Sequence, residues 1–220
     1  MLIPKSIIAR IADNSRSDSW SRKLRNRRFE TFLRTLQVGS KDQILDVGGA
    51  ESTWLNTGME ERVTLLNIAF FEKSGKFHYL VCDACDMHML ASNSFDVIYS
   101  NSVIEHVGPT KHDAFAREVR RVGQRYWIQT PYKHFPIEPH FLFPLFQYLP
   151  LSVKRFIGLR WKYSHLKANG EDILDELNRL QLLSKGDMRK LFPDSCLIEE
   201  KVLGVTKSLI AYRASVPNCG

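Results

Sequence analysis

The chain has 220 residues, of which 44% are hydrophobic and 25% charged, and these ordinary proportions exclude an intrinsically disordered or collagen-like protein. Its net charge of +7 is unevenly placed, because residues 1–41 carry ten basic and three acidic side chains whereas residues 42–220 carry 21 of each. We therefore predict a basic N-terminal helical arm over residues 1–41 and an electrically neutral main domain over residues 42–220.

The beginning of the chain lacks the pattern of a secretory signal, because Lys5 and Arg10 interrupt the apolar core that such a signal needs. No segment approaches the roughly 20 apolar residues of a membrane-spanning helix. We therefore expect a cytoplasmic protein. The four cysteines are expected to be free thiols, and no metal site is expected, since the pair Cys82 and Cys85 has no second pair of ligands at zinc-site spacing.

Residues 20–37 place apolar side chains at helical spacing with basic side chains around them, which predicts an amphipathic helix with one strongly basic side. A second basic stretch, residues 139–170, contains no acidic residue. These two stretches could be solvated surface, could contact an anionic membrane that presents a lipid-linked acceptor, or could bind RNA. RNA ranks last because no recognised RNA-binding module is present, and no DNA partner is expected.

From residue 42, short apolar and β-branched runs alternate with helical or loop segments, which is the pattern of an α/β sheet. The predicted parallel strands are Gln43–Val47, Val63–Ile68, Phe77–Cys82, Phe95–Ser100 and Tyr126–Thr130. A helix is predicted between the last two strands. Residues 131–183 form a lid or acceptor insertion, aromatic at its start and helical at 171–182, and a short helix capped by Ser184 follows at 185–192. The closing runs Leu197–Leu203 and Lys207–Arg213 predict an antiparallel hairpin at the sheet edge.

Small residues end the first predicted strand, in the run Asp46-Val47-Gly48-Gly49-Ala50, and let a ligand approach the backbone closely. We expect the next helix to point its N-terminus at that ligand. Asn67 closes the second strand 21 residues after Asp46, a spacing that suits a group hydrogen-bonding ribose hydroxyls, and Asp83 closes the third, where it could accept a hydrogen bond from an adenine amino group.

A dinucleotide-binding glycine motif is the first competitor, but it would require glycine at positions 50 and 53, where this chain has Ala50 and Thr53. The pyrophosphate of a dinucleotide would then lack its usual close contact with the backbone. A nucleoside that carries a compact amino-acid tail fits this turn better.

Three segments, taken in this order and spacing, resemble the class I S-adenosylmethionine-dependent methyltransferases, and among them the small-molecule branch labelled type 11. They are Leu45–Gly49, Cys82–Ala84 and Phe95–Val107, the last reading FDVIYSNSVIEHV. The resemblance covers residues 42–131 well and 184–213 loosely. It implies an α/β fold with a doubly wound, seven-stranded, mostly parallel sheet in the order 3-2-1-4-5-7-6 and an antiparallel last strand. The N-terminal helix and the aromatic lid insertion are additions to that fold.

The resemblance also implies that the cofactor is S-adenosyl-L-methionine and assigns residues to it. Asp46 and the Gly48-Gly49 turn would hold the methionine end, Asn67 would meet the ribose and Asp83 the adenine, and Asn101 would line the pocket beside the sulfonium. The cofactor-binding residues expected on this basis are Asp46, Gly48, Gly49, Ala50, Asn67, Ile68, Asp83, Ala84, Asn101 and Ser102.

Three positions depart from the family's pattern, which prefers glycine where Ala50 and Ser52 stand and an acidic residue where Asn67 stands. A neutral amide makes a weaker hydrogen bond to ribose than a carboxylate does. We therefore expect weaker cofactor affinity or a compensating contact, and we expect Asn67→Asp to tighten binding. The departures leave a cofactor-binding pseudoenzyme or partner subunit open as an alternative.

The acceptor should enter at the carboxyl end of the fifth strand, where the aromatic insertion begins. The residues expected to bind it are Tyr132, His134, Phe135, His140 and Phe141. A hydroxyl acceptor needs a base, and His140 is the candidate because apolar surroundings and nearby Glu138 could tune its pKa; a histidine that anchors loop backbone is the alternative. The predicted reaction is in-line methyl transfer to a small or amphipathic acceptor, such as a sugar or a lipid-linked intermediate. RNA methylation is a further alternative.

Overall fold

The computed structural model describes residues 20–69, 75–138, 143–160 and 177–215. Its contacts divide the chain into two units at the boundary between residues 39 and 40. In the first unit, helix α1 spans Trp20–Thr35. This is the helix predicted from the apolar spacing of residues 20–37. The rings of Phe29 and Phe32 lie 5.9 Å apart on it.

A seven-stranded sheet is the centre of the second unit. Its strands in chain order are β1 Ile44–Val47, β2 Val63–Asn67, β3 His78–Val81, β4 Phe95–Asn101, β5 Gly123–Pro131, β8 Cys196–Val202 and β9 Val205–Arg213. They lie in the order β3-β2-β1-β4-β5-β9-β8, which confirms the predicted order once the strands are counted within this sheet alone. Strands β1 to β5 are mutually parallel, and β9 is antiparallel to both of its neighbours. A separate ribbon pairs β6 Ile137–Glu138 with β7 Phe143–Pro144.

Helix α2, His112–Val122, covers one face of the sheet between β4 and β5. It buries Phe115, Val119 and Val122 completely in the main hydrophobic core, as the i, i+4, i+7 spacing of these residues predicts. Helix α3 spans Leu151–Arg160, and α4 spans Lys185–Leu191. Helix α4 begins with the predicted Ser184 cap, completed by Asp187 into a capping box in which each side chain bonds the other residue's backbone amide.

The helix expected directly after β1 is not formed. The connection from β1 to β2 contains only the short 3₁₀ turns Glu51–Thr53 and Glu60–Arg62. Asn56 and Gly58 interrupt it with φ angles of 63° and 73°, which a right-handed helix does not accommodate. A helix N-terminus therefore does not point at the end of β1.

The helix predicted over residues 171–182 is also shorter than expected. Residues 177–179 are helical, residues 180–182 are not, and residues 171–176 lie outside the described residues. Here the backbone forms hydrogen bonds with distant parts of the chain. Gln181 N donates to Glu105 O at 2.9 Å, and Leu183 O accepts from Lys133 N at 3.0 Å. These long-range bonds replace the helical ones.

The cysteines follow the expectation only in part. Cys82 and Cys85 are free and partly buried, whereas Cys196, at the start of β8, is disulfide-bonded, so the expectation of four free thiols is wrong at that position. In the part of the chain that the structure describes, no helix combines the length and the apolar character that crossing a membrane requires.

Candidate active site

The carboxyl ends of β1 to β4 meet at one edge of the sheet, because these strands are parallel. Asp46 lies one residue before the end of β1, Asn67 and Asn101 end β2 and β4, and Asp83 follows β3 by two residues. Next to Asn67, the apolar side chain of Ile68 is 79% exposed. The residues predicted to bind the cofactor are thus brought to one edge, where ligands of open α/β sheets bind.

The turn after β1 requires glycine at two positions but not at the third. Gly48 has a φ of 71°, and a Cβ there would overlap the side chain of Val103, while a Cβ on Gly49 would overlap the Asp46 carboxylate. Ala50 has a φ of −123°, an ordinary extended value. The alanine that departs from the family pattern is therefore accommodated here without backbone strain.

The Asp46 carboxyl is buried below this turn. Trp54 Nε1 donates to Asp46 Oδ2 at 2.6 Å, and the indole packs edge-on against Tyr99 with the ring centres 5.4 Å apart. Burial raises the pKa of Asp46 to about 7, although the indole hydrogen bond opposes the shift. Near neutral pH this carboxyl exchanges between its neutral and charged forms. The sequence did not reveal this bond.

Asn67 is bonded to the same turn from the end of β2. Its Nδ2 donates to Gly49 O at 2.9 Å, a bond that the carboxylate usual in the family could not make. On the same side of the sheet but one strand further out, the Tyr79 hydroxyl on β3 donates to the Glu51 carboxylate, which follows the turn. The turn and the residue after it are therefore fixed to β2 and β3 by side chains that the sequence did not connect.

Asp83 has two partners beyond the end of β3. Its Oδ1 accepts from Cys85 N at 2.9 Å, and its Oδ2 lies 3.0 Å from Lys111 Nζ. The backbone bond from Cys85, together with Lys111, holds the pKa of Asp83 below its ordinary value. Both side chains remain partly exposed, at 37% and 55%. Lys111 was not singled out in the sequence, because it lies 28 residues away and no spacing rule connects it to Asp83.

The segment that follows β4 is locked to β5. Ser102 adopts a φ of 59°, and its backbone and side chain bond Gln129 O and Gln129 Oε1 at 3.0 Å each. Glu105 is fully buried, and its Oε2 accepts from Thr130 Oγ1 at 2.9 Å. The family-like signature therefore includes a rigid connection between the ends of β4 and β5.

Three of the residues predicted to bind the acceptor lie in one turn at the exit of β5, and two of them, Tyr132 and His134, are in ring contact. The rings of Tyr132 and His134 lie 5.2 Å apart, and His134 Nδ1 is 2.6 Å from the Tyr148 hydroxyl oxygen. Phe135 follows in the same turn, where its N donates to Tyr132 O at 3.0 Å. The other two, His140 and Phe141, lie outside the described residues, and so does the predicted base.

A pocket of about 190 Å³ lies beside this exit. It is lined by Lys133, Phe146, Gln147, Lys154, Leu177, Leu180, Gln181 and Leu182. None of these is among the five residues that the sequence predicts to bind the acceptor. They come together through the long-range backbone bonds of residues 181 and 183, for which the sequence carries no periodic signal.

Residues 49–125 match the family model described as a methyltransferase domain. No curated protein sequence matches this chain significantly.

Solved structures share the fold at low identity. A SAM-dependent methyltransferase of Archaeoglobus fulgidus is 12% identical, with 87% of this chain and 94% of the other covered and a TM-score of 0.53. The 1,6-didemethyltoxoflavin-N1-methyltransferase of Burkholderia thailandensis, solved with 1,6-didemethyltoxoflavin and S-adenosylhomocysteine, is 12% identical, with coverages of 98% and 92% and a TM-score of 0.54. A Rhodobacter sphaeroides protein whose name gives it as a zinc-dependent alcohol dehydrogenase is 10% identical, with coverages of 85% and 88% and a TM-score of 0.58. These similarities establish the fold, and the variety of names means that the fold alone does not decide the activity.

Proposed function

We propose that this chain, whose residues 49–125 match the methyltransferase family model and whose sheet has the class I order, is an S-adenosylmethionine-dependent methyltransferase of the type-11 branch, and that its acceptor is a small or amphipathic molecule, such as a sugar or a lipid-linked intermediate. The cofactor is S-adenosyl-L-methionine. The residues that would hold it, the acceptor and the base are part of the same proposal.

The side chains at the sheet edge have the chemistry that this cofactor requires. The Asp46 carboxyl and the Gly48-Gly49 turn would hold the methionine amino and carboxylate groups. Asn67 has its amide nitrogen on Gly49 O, so its carbonyl oxygen would accept from a ribose hydroxyl. Asp83 would accept from the adenine amino group, and the exposed side chain of Ile68 would pack on the adenine ring.

The cofactor supplies an electrophilic methyl group and leaves S-adenosylhomocysteine as the second product. The chain would contribute position and exclusion of water, with the residues after β4 and β5 holding the acceptor in line with the methyl group. For a hydroxyl acceptor, His140 would take the proton that the oxygen loses. An amine acceptor that is already neutral would need little more than correct placement.

One observation carries this proposal. Polar groups suited to an amino acid, a ribose and an adenine stand at the ends of three adjacent strands, in the order Asp46, Asn67 and Asp83. An open sheet binds ligands along this edge, so a single extended nucleoside would contact all three.

Calorimetric titration with S-adenosylmethionine and S-adenosylhomocysteine tests the cofactor site. We expect both to bind, and the absence of binding at about millimolar concentration would remove the proposal, since that corresponds to less than about 4 kcal/mol of binding free energy. Transfer of a labelled methyl group to an acceptor in a cell extract tests turnover. Mass spectrometry of metabolites and lipids from cells with and without the protein would then identify the acceptor by the mass of one added CH₂.

A cofactor-binding pseudoenzyme is the second candidate, and the neutral amide of Asn67, where the family has a carboxylate, is the observation that favours it. An amide oxygen makes a weaker hydrogen bond to a ribose hydroxyl than a carboxylate does, so the cofactor would be held less firmly. Binding of S-adenosylmethionine without transfer of its label to any acceptor would support this candidate over the enzyme.

A further inference from the structure

The side chain of Gln129, two residues before the end of β5, is buried but has one unpaired polar end. The residue is 2% exposed, and its Oε1 accepts a hydrogen bond from Ser102 Oγ at 3.0 Å. No described residue accepts a hydrogen bond from its Nε2, and Nε2 is not one of the polar atoms that are fully buried without a partner. Nε2 therefore belongs to the small part of this side chain that water or a ligand reaches, and it presents two N–H groups there.

The contacts with Ser102 fix the direction of this amide. Ser102 N donates to Gln129 O at 3.0 Å, so the two residues are joined through the backbone as well as through their side chains. Ser102 holds its position with a φ of 59°, which is uncommon for a residue other than glycine, and such conformations concentrate at functional sites. Because Oε1 faces Ser102 Oγ, Nε2 is turned away from it.

Gln129 lies at the place where the proposed function puts the acceptor. It is paired in the sheet register with Asn101 of β4, the residue expected beside the sulfonium. Paired residues of neighbouring strands extend their side chains to the same face of a sheet, and the strands are about 4.8 Å apart. The Gln129 amide therefore stands one strand beyond the expected position of the sulfonium, on the same face as Asn101.

An amide donor at this place selects among acceptors. An N–H group bonds an oxygen or nitrogen that has a free lone pair, and an ammonium group has none. During the transfer the acceptor atom forms a bond to the methyl carbon, the carbon–sulfur bond breaks, and its electron pair stays on sulfur. The attacking atom uses its lone pair for the methyl carbon, so the N–H must bond a neighbouring atom of the acceptor.

We propose that Gln129 is a specificity-determining residue of the acceptor site, and that its Nε2 donates to an oxygen next to the methylated atom. Carboxylates, amides and neighbouring hydroxyl groups provide such an oxygen. That the ligand is the methyl acceptor rests on the proposed function. The preference of the site for an oxygen does not.

A matched series of one-ring compounds tests the proposal by NMR titration of the full chain, labelled with nitrogen-15 and loaded with S-adenosylhomocysteine. Acetophenone, α-methylstyrene and 1-phenylethylamine share one carbon skeleton and carry an oxygen, a CH₂ and an ammonium group at the same position, and benzoate adds a second oxygen. We expect acetophenone or benzoate to bind about tenfold more tightly than the other two compounds, which corresponds to about 1.4 kcal/mol. The bound oxygen compound should also shift the side-chain N–H signals of Gln129, which are assigned in the parent chain.

The variant Gln129→Met keeps a side chain of similar length without N–H groups, so acetophenone and α-methylstyrene should bind it equally. Gln124→Met is the same substitution at an exposed position of the same strand, and it should leave the whole series unchanged. Unchanged affinity for S-adenosylhomocysteine in each variant confirms that it is folded. If Gln129→Met does not fold, the Gln129 signals of the parent decide the test.

Equal binding of all four compounds, tighter binding of 1-phenylethylamine, or an oxygen preference that survives Gln129→Met would overturn the proposal. So would an oxygen compound that binds and leaves the Gln129 signals unshifted. Failure of the whole series on a chain that does bind S-adenosylhomocysteine would overturn it as well, while the proposed cofactor site would stand.

If S-adenosylhomocysteine does not bind the parent, the same series is run on the unloaded chain. An oxygen preference there, with shifted Gln129 signals, would support the role of Gln129 while the methyltransferase proposal fails. Its absence would overturn both.

Discussion

At the level of single residues, Asn67 is the position where the structure changes the expected result of a mutation. The sequence favours tighter cofactor binding for Asn67→Asp, because a carboxylate accepts more strongly from ribose. In the structure the amide also donates to Gly49 O at 2.9 Å, and a carboxylate would face that carbonyl oxygen without a hydrogen. Loss of such a bond costs about 1–3 kcal/mol. We therefore expect Asn67→Asp to weaken S-adenosylhomocysteine binding about tenfold in calorimetry.

The control for Asn67→Asp is Asn93→Asp, which introduces the same charge in an exposed loop before β4. It should leave the affinity unchanged. Tighter binding by Asn67→Asp would mean that the bond to Gly49 does not position the turn, and the expectation from sequence alone would be restored.

The buried Asp46 carboxyl predicts a characteristic dependence of stability on pH. Its pKa is about 7 in the folded chain, against an ordinary value of 3.8. The folded state therefore binds a proton more tightly than the unfolded state. The resulting stabilisation is complete below about pH 4 and is lost as the pH rises through 7, by at most about 4 kcal/mol. We expect Asp46→Asn to remove this loss, so that the variant gains stability relative to the parent between pH 5 and pH 8 in urea unfolding.

Comparison of parent and variant at each pH cancels the titration of all other groups. Trp54→Phe provides a matched test of the cause, because it removes the indole donor that now lowers the Asp46 pKa. The pH at which half of the Asp46 stabilisation is lost should therefore be higher in Trp54→Phe than in the parent. A stability difference between parent and Asp46→Asn that is the same at every pH would show that this carboxyl does not titrate near neutrality.

At the level of elements, the turn after β1 requires glycine at position 48 because a side chain there would overlap its neighbour, and not only because φ is positive. Gly48 and Gly204, in the β8–β9 hairpin, have φ angles of 71° and 81°, but a Cβ would overlap Val103 at the first and meet nothing within 4 Å at the second. We expect Gly204→Ala to cost about 1 kcal/mol of unfolding free energy, and Gly48→Ala to cost about 3 kcal/mol and abolish S-adenosylhomocysteine binding. Urea unfolding and calorimetry measure the two effects, and equal costs for the two variants would contradict the role assigned to Val103.

The elements that could be predicted are those whose signal is local. Strands β1 to β4 were predicted to within about one residue, because runs such as Phe95–Asn101 are buried on both faces and read as continuous apolar stretches. β5 begins three residues earlier than predicted, at Gly123, where a Cβ would overlap Ile98 of the neighbouring strand. That glycine is required by packing, which an apolar run does not reveal.

The elements that could not be predicted depend on distant partners. The connection after β1 forms no helix because Asn56 and Gly58 adopt positive φ angles, and within it Trp54 bonds back to Asp46. The pocket beside the exit of β5 depends on the hydrogen bonds of Gln147 to the carbonyl oxygens of residues 133 and 135. At the cofactor edge, the residue types at β1, β2 and β3 were predicted from spacing. The bond of Tyr79 to Glu51 and the ion pair of Lys111 with Asp83 were not predicted, because each contact joins residues separated by 28 positions in the sequence.

At the scale of the whole molecule, the separation of charge is the main feature that the cofactor site does not explain. Residues 1–41 carry the entire net charge of +7, and Arg27 and Arg34 of α1 are exposed. We expect the chain to sediment with vesicles of about one-third phosphatidylserine at about 0.05 M salt, and to remain in solution at about 0.5 M, because screening weakens such attraction.

The double variant Arg27→Gln/Arg34→Gln should lower the partition coefficient onto these vesicles about 30-fold, since each basic side chain near an anionic surface contributes about 1 kcal/mol. The matched control is Lys190→Gln/Lys201→Gln, which removes two exposed charges from the neutral unit and should have little effect. Equal losses for the two double variants would mean that binding follows total charge and not the arm. Binding to a single-stranded oligouridine that exceeds vesicle binding at the same salt would instead favour RNA as the partner of the basic surface.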